Sequence, residues 1–131
     1  MQLQSLMFLL ARIFLAALFL RAGWGKIDSY GQTVAVIGGQ GVPFAQVAAP
    51  LAIFAEIAGG LALLAGYRAR LAAVGLIIYV AVVTYYFHDF WRLSGGQAQL
   101  QATLFLKNLS IISGLIFLAG AGPGRISIDR S

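Results

Sequence analysis

Five polar side chains that could do chemistry lie in or beside the apolar segments of this chain. Glu56 and Lys107 are single charges inside long apolar runs, and Asn108 follows Lys107 directly. Lys26 and His88 lie at the ends of two further apolar runs. An ionisable group inside a bilayer costs about 2.5–3.5 kcal/mol on insertion scales, and such groups usually pair or serve a function. These residues are therefore the candidates for a buried ion pair or a ligand site.

The composition excludes several other kinds of site. The chain has no cysteine and one histidine, so it cannot by itself build a thiolate metal site, a CxxC relay or a bis-histidine haem site. The glycine-rich stretch GGQGVP lacks the GxxxxGK[ST] pattern of a phosphate-binding loop. The net charge is +5, but the basic residues are scattered and form no stripe. We therefore expect no metal, haem or nucleotide cofactor and no nucleic-acid partner.

The elements that must position these side chains are four apolar runs. Of the 131 residues, 60% are hydrophobic and 10% are charged, whereas a soluble domain is about 45–50% apolar and about 25% charged. A run of roughly 17–25 apolar residues can span a bilayer, and it must be helical because lipid offers the backbone no hydrogen bonds. The pattern predicts an all-α, polytopic membrane four-helix bundle that forms a single domain over residues 1–131. The helices are expected at about 5–27, 50–67, 71–90 and 101–120.

The links between the runs indicate a topology. Between the first two spans, a short interfacial helix is expected near residues 32–37, before a glycine-rich turn at 38–43. Four spans place both termini on one side of the membrane. That side has more cations than the other, so the positive-inside rule predicts that both termini are cytoplasmic. Its arginines are Arg68, Arg70, Arg125 and Arg130.

Helix geometry brings several charges to one depth. At 1.5 Å per residue, Arg21, Glu56 and Lys107 each lie about 9 Å below the outer surface. Lys26 and His88 lie just above them. This matched depth predicts a buried ion pair between Glu56 and Lys107. The pair could serve only to fix the helix register, or it could belong to a ligand site.

An excess of cations at this level favours the ligand site. We expect a polar pocket near the outer leaflet, between the first, second and fourth spanning helices, because surplus positive charge in a low-dielectric site attracts an anion or a carbonyl. Its lining would be Lys26, Glu56, Lys107 and Asn108, with His88 at the rim. Aromatic residues near this end form either an ordinary interfacial belt or a flat slot for a quinone ring. They are Trp24, Tyr30, Tyr85, Tyr86, Phe87, Phe90 and Trp91.

Several motifs in a fixed order point to a family. From Arg12 to Asp129 the chain contains RIFLAALFLRAGWGKI, GVP, AEIAGGLALLAGYRAR, FHDF, FLKNLS and GPGRISID. In this order and spacing it resembles the DoxX family of small four-helix bacterial membrane proteins. The resemblance implies a multi-pass protein of the bacterial inner membrane, from a family associated with thiosulfate:quinone oxidation and with membrane oxidoreductase assemblies. The positions that match the family pattern include Lys26, Glu56, His88, Lys107 and Asn108.

Two functions are consistent with these observations. The first is the quinone-linked membrane component of a redox system, with quinone as the cofactor and with electrons from a bound substrate or a redox partner subunit. The second is a non-enzymatic scaffold or small-anion transporter whose buried charges fix helix packing. The aromatic cluster over the charged level favours the first, and the absence of a redox-cofactor motif favours the second. In either case the chain lies in the lipid bilayer and could form a homo-oligomer.

Overall fold

Helices form nearly all of the protein. A computed structural model describes residues 2–130, and within them it contains no strand. Four of the helices are long and apolar enough to cross a membrane. The fold is therefore the expected all-α four-helix membrane bundle, with a short helix between the first two spans. The elements are α1 (Gln2–Asp28), α2 (Tyr30–Gly39), α3 (Ala45–Ala65), α4 (Ala69–Phe87), a 3-10 turn (Phe90–Arg92) and α5 (Gly95–Ala121).

The boundaries of three spanning helices differ from those expected. α5 begins at Gly95 rather than near residue 101, because its polar first two turns are still helical. α3 begins at Ala45 and contains Pro50, which was expected to start it. Phe44, with φ of 53°, is the left-handed residue that turns the chain into α3. α4 stops at Phe87, and the rest of the expected span to residue 90 leads into the 3-10 turn.

The spanning helices pack in the order α1, α3, α4, α5, each antiparallel to the next. Two glycines of α3 allow the backbones to approach closely, as small residues do in membrane bundles. A Cβ on Gly60 would lie 2.9 Å from Leu20 of α1, and a Cβ on Gly59 would lie 2.9 Å from Leu76 of α4. The central core residues are Ala16, Phe19, Leu63, Ala73, Leu76, Val80, Leu115 and Leu118.

One end of the bundle, where α1 begins and α5 ends, is closed by the tail at residues 122–130. We call it the terminal end, and the opposite end, which carries α2, the α2 end. Arg12 is 1% exposed and joins the tail to α3. Its Nη1 donates to the carbonyls of Leu63 and Leu64 at 3.1 Å, and its Nη2 donates to the carbonyl of Ile126. Two of these acceptors lie in the last turn of α3, where helix carbonyls need partners from outside.

Candidate functional site

Glu56 is the buried carboxylate at the α2 end, and two donors from other helices reach it. Lys26 Nζ of α1 lies 2.9 Å from Oε1 and 3.0 Å from Oε2. Tyr79 of α4 donates its hydroxyl to Oε2 at 2.8 Å. Oε1 is close to the ammonium but outside the direction of a hydrogen bond, so charge alone holds it. Glu56 is 5% exposed, and this set of contacts compensates its charge inside the bundle.

Local sequence explains why these groups meet. Lys26 lies in the last turn of α1, where a cation also interacts favourably with the helix dipole. Gly23, one turn earlier, lets α1 approach α3. A Cβ at Gly23 would lie 2.7 Å from Ile57 Cδ1 and 3.2 Å from Glu56 Cβ. Because Gly23 has no side chain, α1 lies close enough to α3 for Lys26 to reach Glu56.

The expected ion pair between Glu56 and Lys107 is wrong. Lys107 is exposed on α5, and the structure pairs Glu56 with Lys26 instead. Depth alone cannot determine a partner, because α5 packs against α4 whereas Glu56 lies between α1, α3 and α4. Asn108 is the buried member of the adjacent pair, and its Nδ2 donates to Thr84 Oγ1 of α4 at 3.0 Å. Successive residues point about 100° apart on a helix, so burying Asn108 turns Lys107 outward.

A cavity of about 390 Å³ lies at the α2 end between α3 and α4, beside Glu56. α2 and the loop after it contribute Ile37 and Val42 to its lining, and Leu51 and Val82 give it an edge on the exposed, lipid-facing surface. Its walls are mostly apolar. The polar lining residues are Lys26, Glu56, Tyr79, Tyr86 and His88.

This cavity differs in place and lining from the expected pocket. Lys26, Glu56 and His88 line it, as expected for three of the five candidates, but Lys107 and Asn108 do not. It lies between the second and third spanning helices rather than between the first, second and fourth. The reason is the order of the helices: α5 packs against α4 rather than α3, so Asn108 meets Thr84 of α4 instead of a group beside Glu56.

His88 connects the cavity to α5. It caps the end of α4, and its Nδ1 lies 2.7 Å from Gln101 Oε1. The amide oxygen can only accept, so Nδ1 is the donor when the two groups are placed in this way. In the part of the chain between residues 2 and 130, no group of three or more acidic or histidine side chains is placed to hold a metal ion.

Tyr79 is the site residue that sequence reasoning missed. It lies in the apolar run GLIIYVAVV, where an aromatic ring is expected to contribute only to helix packing. The available signal was its hydroxyl, because a buried tyrosine hydroxyl usually finds a partner.

Most of the aromatic residues lie away from the cavity. Phe90 and Trp91 stack edge-on against Phe105 of α5, with ring centroids 5.4 Å and 6.2 Å away. Of the aromatic residues that were expected to form a slot, only Tyr86 and Phe87 line the cavity. Trp24 is 66% exposed on α1. The larger aromatic group therefore has the position of an interfacial belt that also joins α4 to α5.

Two known proteins similar to this chain are inner membrane proteins of a bacterium. This chain is 38% identical over 122 residues to the inner membrane protein YqjF of Escherichia coli K12. The matched segment covers 93% of this chain and 88% of YqjF. It is also 30% identical over 127 residues to the inner membrane protein YphA of the same organism. Here the matched segment covers 97% of this chain and 91% of YphA. No solved structure matches it. The DoxX family model matches residues 7–89, from α1 to just beyond α4. The chain therefore belongs to the DoxX family.

Proposed function

We propose that this protein is the quinone-linked membrane component of a redox system and that the quinone head binds in the cavity beside Glu56. One observation carries the proposal. The buried Glu56, with its partners Lys26 and Tyr79, lies in the wall of an apolar cavity that reaches the lipid-facing surface. A lipid-dissolved molecule with a polar head would enter such a cavity from the bilayer.

The residues present fit a quinone head. A volume of about 390 Å³ lies within the range of about 300–1,000 Å³ that is usual for small-molecule sites. Such sites are mostly apolar and contain a few polar groups that fix the orientation of the ligand. Here the donors are the Lys26 ammonium and the Tyr79 hydroxyl, and the flat apolar contacts are Tyr86 and Phe87.

The chain's own contribution would be to position the head and to handle protons. A bound quinone supplies two-electron, two-proton chemistry, and its electrons would come from a redox partner subunit. The Lys26 ammonium has three N–H donors, so it can bind a carbonyl oxygen and Glu56 together, whereas the single Tyr79 hydroxyl proton would turn from Glu56 to the carbonyl oxygen or be shared between them. His88 lines the same cavity, and an imidazole offers both a donor and an acceptor nitrogen, so it is suited to pass protons between the cavity and water.

A scaffold is the second candidate, and one observation favours it. Glu56 already has a cation and a hydroxyl as partners, so the contacts inside the bundle leave no surplus charge there. In that case the cluster would only fix the register of α1, α3 and α4. A small-anion transporter has less support, because Lys107 lies on the outside of α5 and does not line the cavity.

A binding measurement separates quinone binding from a scaffold role. We expect decylubiquinone to raise the melting temperature of the detergent-purified protein, because a ligand that binds the folded state stabilises it. Ala52→Trp should fill the cavity and abolish the shift, and Tyr79→Phe should reduce it. Tyr85→Phe removes a hydroxyl outside the cavity and serves as the matched control. A wild-type protein that shows no shift, and from which no quinone can be extracted, would favour the scaffold.

We also propose that the protein lies in the bacterial inner membrane with both termini in the cytoplasm. Its relatives in Escherichia coli are named inner membrane proteins. The terminal end carries more basic residues at or beyond the ends of the spans than the α2 end does, and the positive-inside rule assigns the more basic end to the cytoplasm. They are Arg68, Arg70, Arg125 and Arg130.

A further inference from the structure

A second, shallower depression runs along α3 and α4 in the other half of the bundle. It has a volume of about 460 Å³ and ends at Arg68 in the turn between the two helices. We call it the Arg68 groove. Small residues form its floor and exposed side chains form its edges. Its lining includes Phe54, Ala62, Tyr67, Arg68, Leu71 and Gly75.

We propose that the Arg68 groove binds an anionic phospholipid, with one acyl chain along α3 and α4 and the phosphate at Arg68. This ligand is distinct from the quinone of the proposed function. It would lie in the leaflet at the terminal end, whereas the quinone cavity lies at the α2 end.

The length and position of the groove fit one acyl chain. Along α3 it runs from Ala62 to Phe54, which is about 12 Å of helix at 1.5 Å per residue. One leaflet contributes about half of a hydrocarbon core that is about 30 Å thick, or about 15 Å. Phe54 and Leu71 are 70% and 66% exposed, so the groove faces the surroundings of the bundle. In a bilayer, those surroundings are acyl chains.

The charge at the end of the groove fits a phosphate. The Arg68 guanidinium lies over the Tyr67 ring, 5.8 Å from its centroid, while the Arg68 backbone N–H is held by Asp129. Arginine offers a planar fork of donors that matches phosphate oxygens. Asp129 is the carboxylate nearest to this turn, and its two oxygens accept backbone N–H groups. Tyrosine is typical of the level of lipid headgroups.

A second copy of the chain is a poorer occupant than a lipid. In a two-fold dimer across this groove, the same surface of each copy meets its equivalent. That arrangement would bring two Arg68 side chains toward each other. An anionic lipid instead brings opposite charge to Arg68 and an apolar chain to the floor.

The test compares two lipids that have the same acyl chains. Dioleoylphosphatidylglycerol and dioleoylphosphatidylcholine are titrated into the detergent-purified protein, and melting temperature and lipid adducts in native mass spectrometry are recorded. We expect the anionic lipid to bind more tightly. Arg68→Gln should reduce this preference about fivefold, since one basic side chain near anionic lipid contributes about 1 kcal/mol. Arg21→Gln, on the exposed side of α1, is the charge-matched control.

Filling the groove tests the acyl-chain half of the proposal. Gly75 is exposed, and a Cβ there would meet nothing within 4 Å, so Gly75→Leu can fold while it occupies the groove. We expect it to weaken the retention of both lipids, whereas Ala17→Leu on the exposed side of α1 should not. Equal binding of the two lipids by the wild type, or an unchanged preference in Arg68→Gln, would overturn the proposal. A dimer that Gly75→Leu dissociates would show instead that the groove is a self-interface.

Discussion

Glu56 lies buried inside the bundle, and donors from two other helices reach its carboxylate. The contact with Lys26 links α1 to α3, and the contact with Tyr79 links α4 to α3. A buried charge that loses its partner is far more costly than the absence of the whole pair. Lys107 is different, because its side chain is exposed and can extend toward the membrane surface. Loss of the lysine side chain should therefore destabilise the protein at position 26 and have little effect at position 107.

A mutant cycle tests this difference. We expect Lys26→Met to lower the free energy of unfolding by about 3 kcal/mol, the low end of the range for a broken buried pair, because Lys26 is still 27% exposed. The double variant with Glu56→Gln should lose less than the sum of the two single losses. Lys107→Met is the matched control and should change stability by less than about 1 kcal/mol. Additive losses in denaturant titrations would contradict coupling between Lys26 and Glu56.

At the scale of the elements, the tail at residues 122–130 joins the ends of α3 and α4. The N–H groups of Ile128 and Asp129 donate to the carbonyls of Ala65 and Gly66, and the Asp129 carboxylate caps the start of α4. Gly66 has φ of 69°, and a Cβ there would collide with Ser127 and Arg12. A glycine at this position therefore permits both the turn and the contact with the tail.

The cap predicts a pH dependence. The N–H groups of Ala69 and Arg68 hold the pKa of Asp129 below its ordinary range, because they stabilise the charged carboxylate. Its contribution to stability is therefore fully present above the ordinary aspartate pKa of about 3.9 and is lost as the pH falls through the lower folded-state pKa. We expect the melting temperature of the wild type to fall in this acidic window more steeply than that of Asp129→Asn. Asp28→Asn should retain the wild-type slope, and parallel slopes for wild type and Asp129→Asn would contradict the cap.

At the scale of the whole molecule, the two ends of the bundle have different properties. The terminal end is closed by the tail and fixed by Arg12, whereas the α2 end contains the cavity under α2. Basic residues at or beyond the ends of the spans are concentrated at the terminal end. Cytoplasmic loops carry the excess of lysine and arginine, so this difference in charge supports placing the terminal end in the cytoplasm.

Reporter fusions test the orientation. A reporter that is active only in the cytoplasm should be active when fused after Ser131. A reporter that is active only in the periplasm should be active when inserted in the loop after α2, at Gly41. The reverse pattern would contradict the assignment, and a fusion at the α3–α4 turn should behave like the C-terminal one.

The sequence by itself determined that this protein lies in a lipid bilayer and that it is a bundle of spanning helices. Apolar runs of spanning length can only be helices in lipid, and the tight link GYRAR requires antiparallel neighbours. It also identified Lys26, Glu56 and His88, because ionisable groups beside apolar runs are rare. These signals are local, so each can be read without knowing which helices touch.

Only the tertiary structure decided which side chains meet. Depth along a helix follows from residue number, and it put Lys107 level with Glu56. Rotation and helix order do not follow from residue number, and they paired Glu56 with Lys26 and Tyr79 and turned Lys107 outward. Helix order is set by contacts between distant segments, such as Gly60 with Leu20 and Asn108 with Thr84. The cavity between α3 and α4 is a consequence of that packing, so no single segment could reveal it.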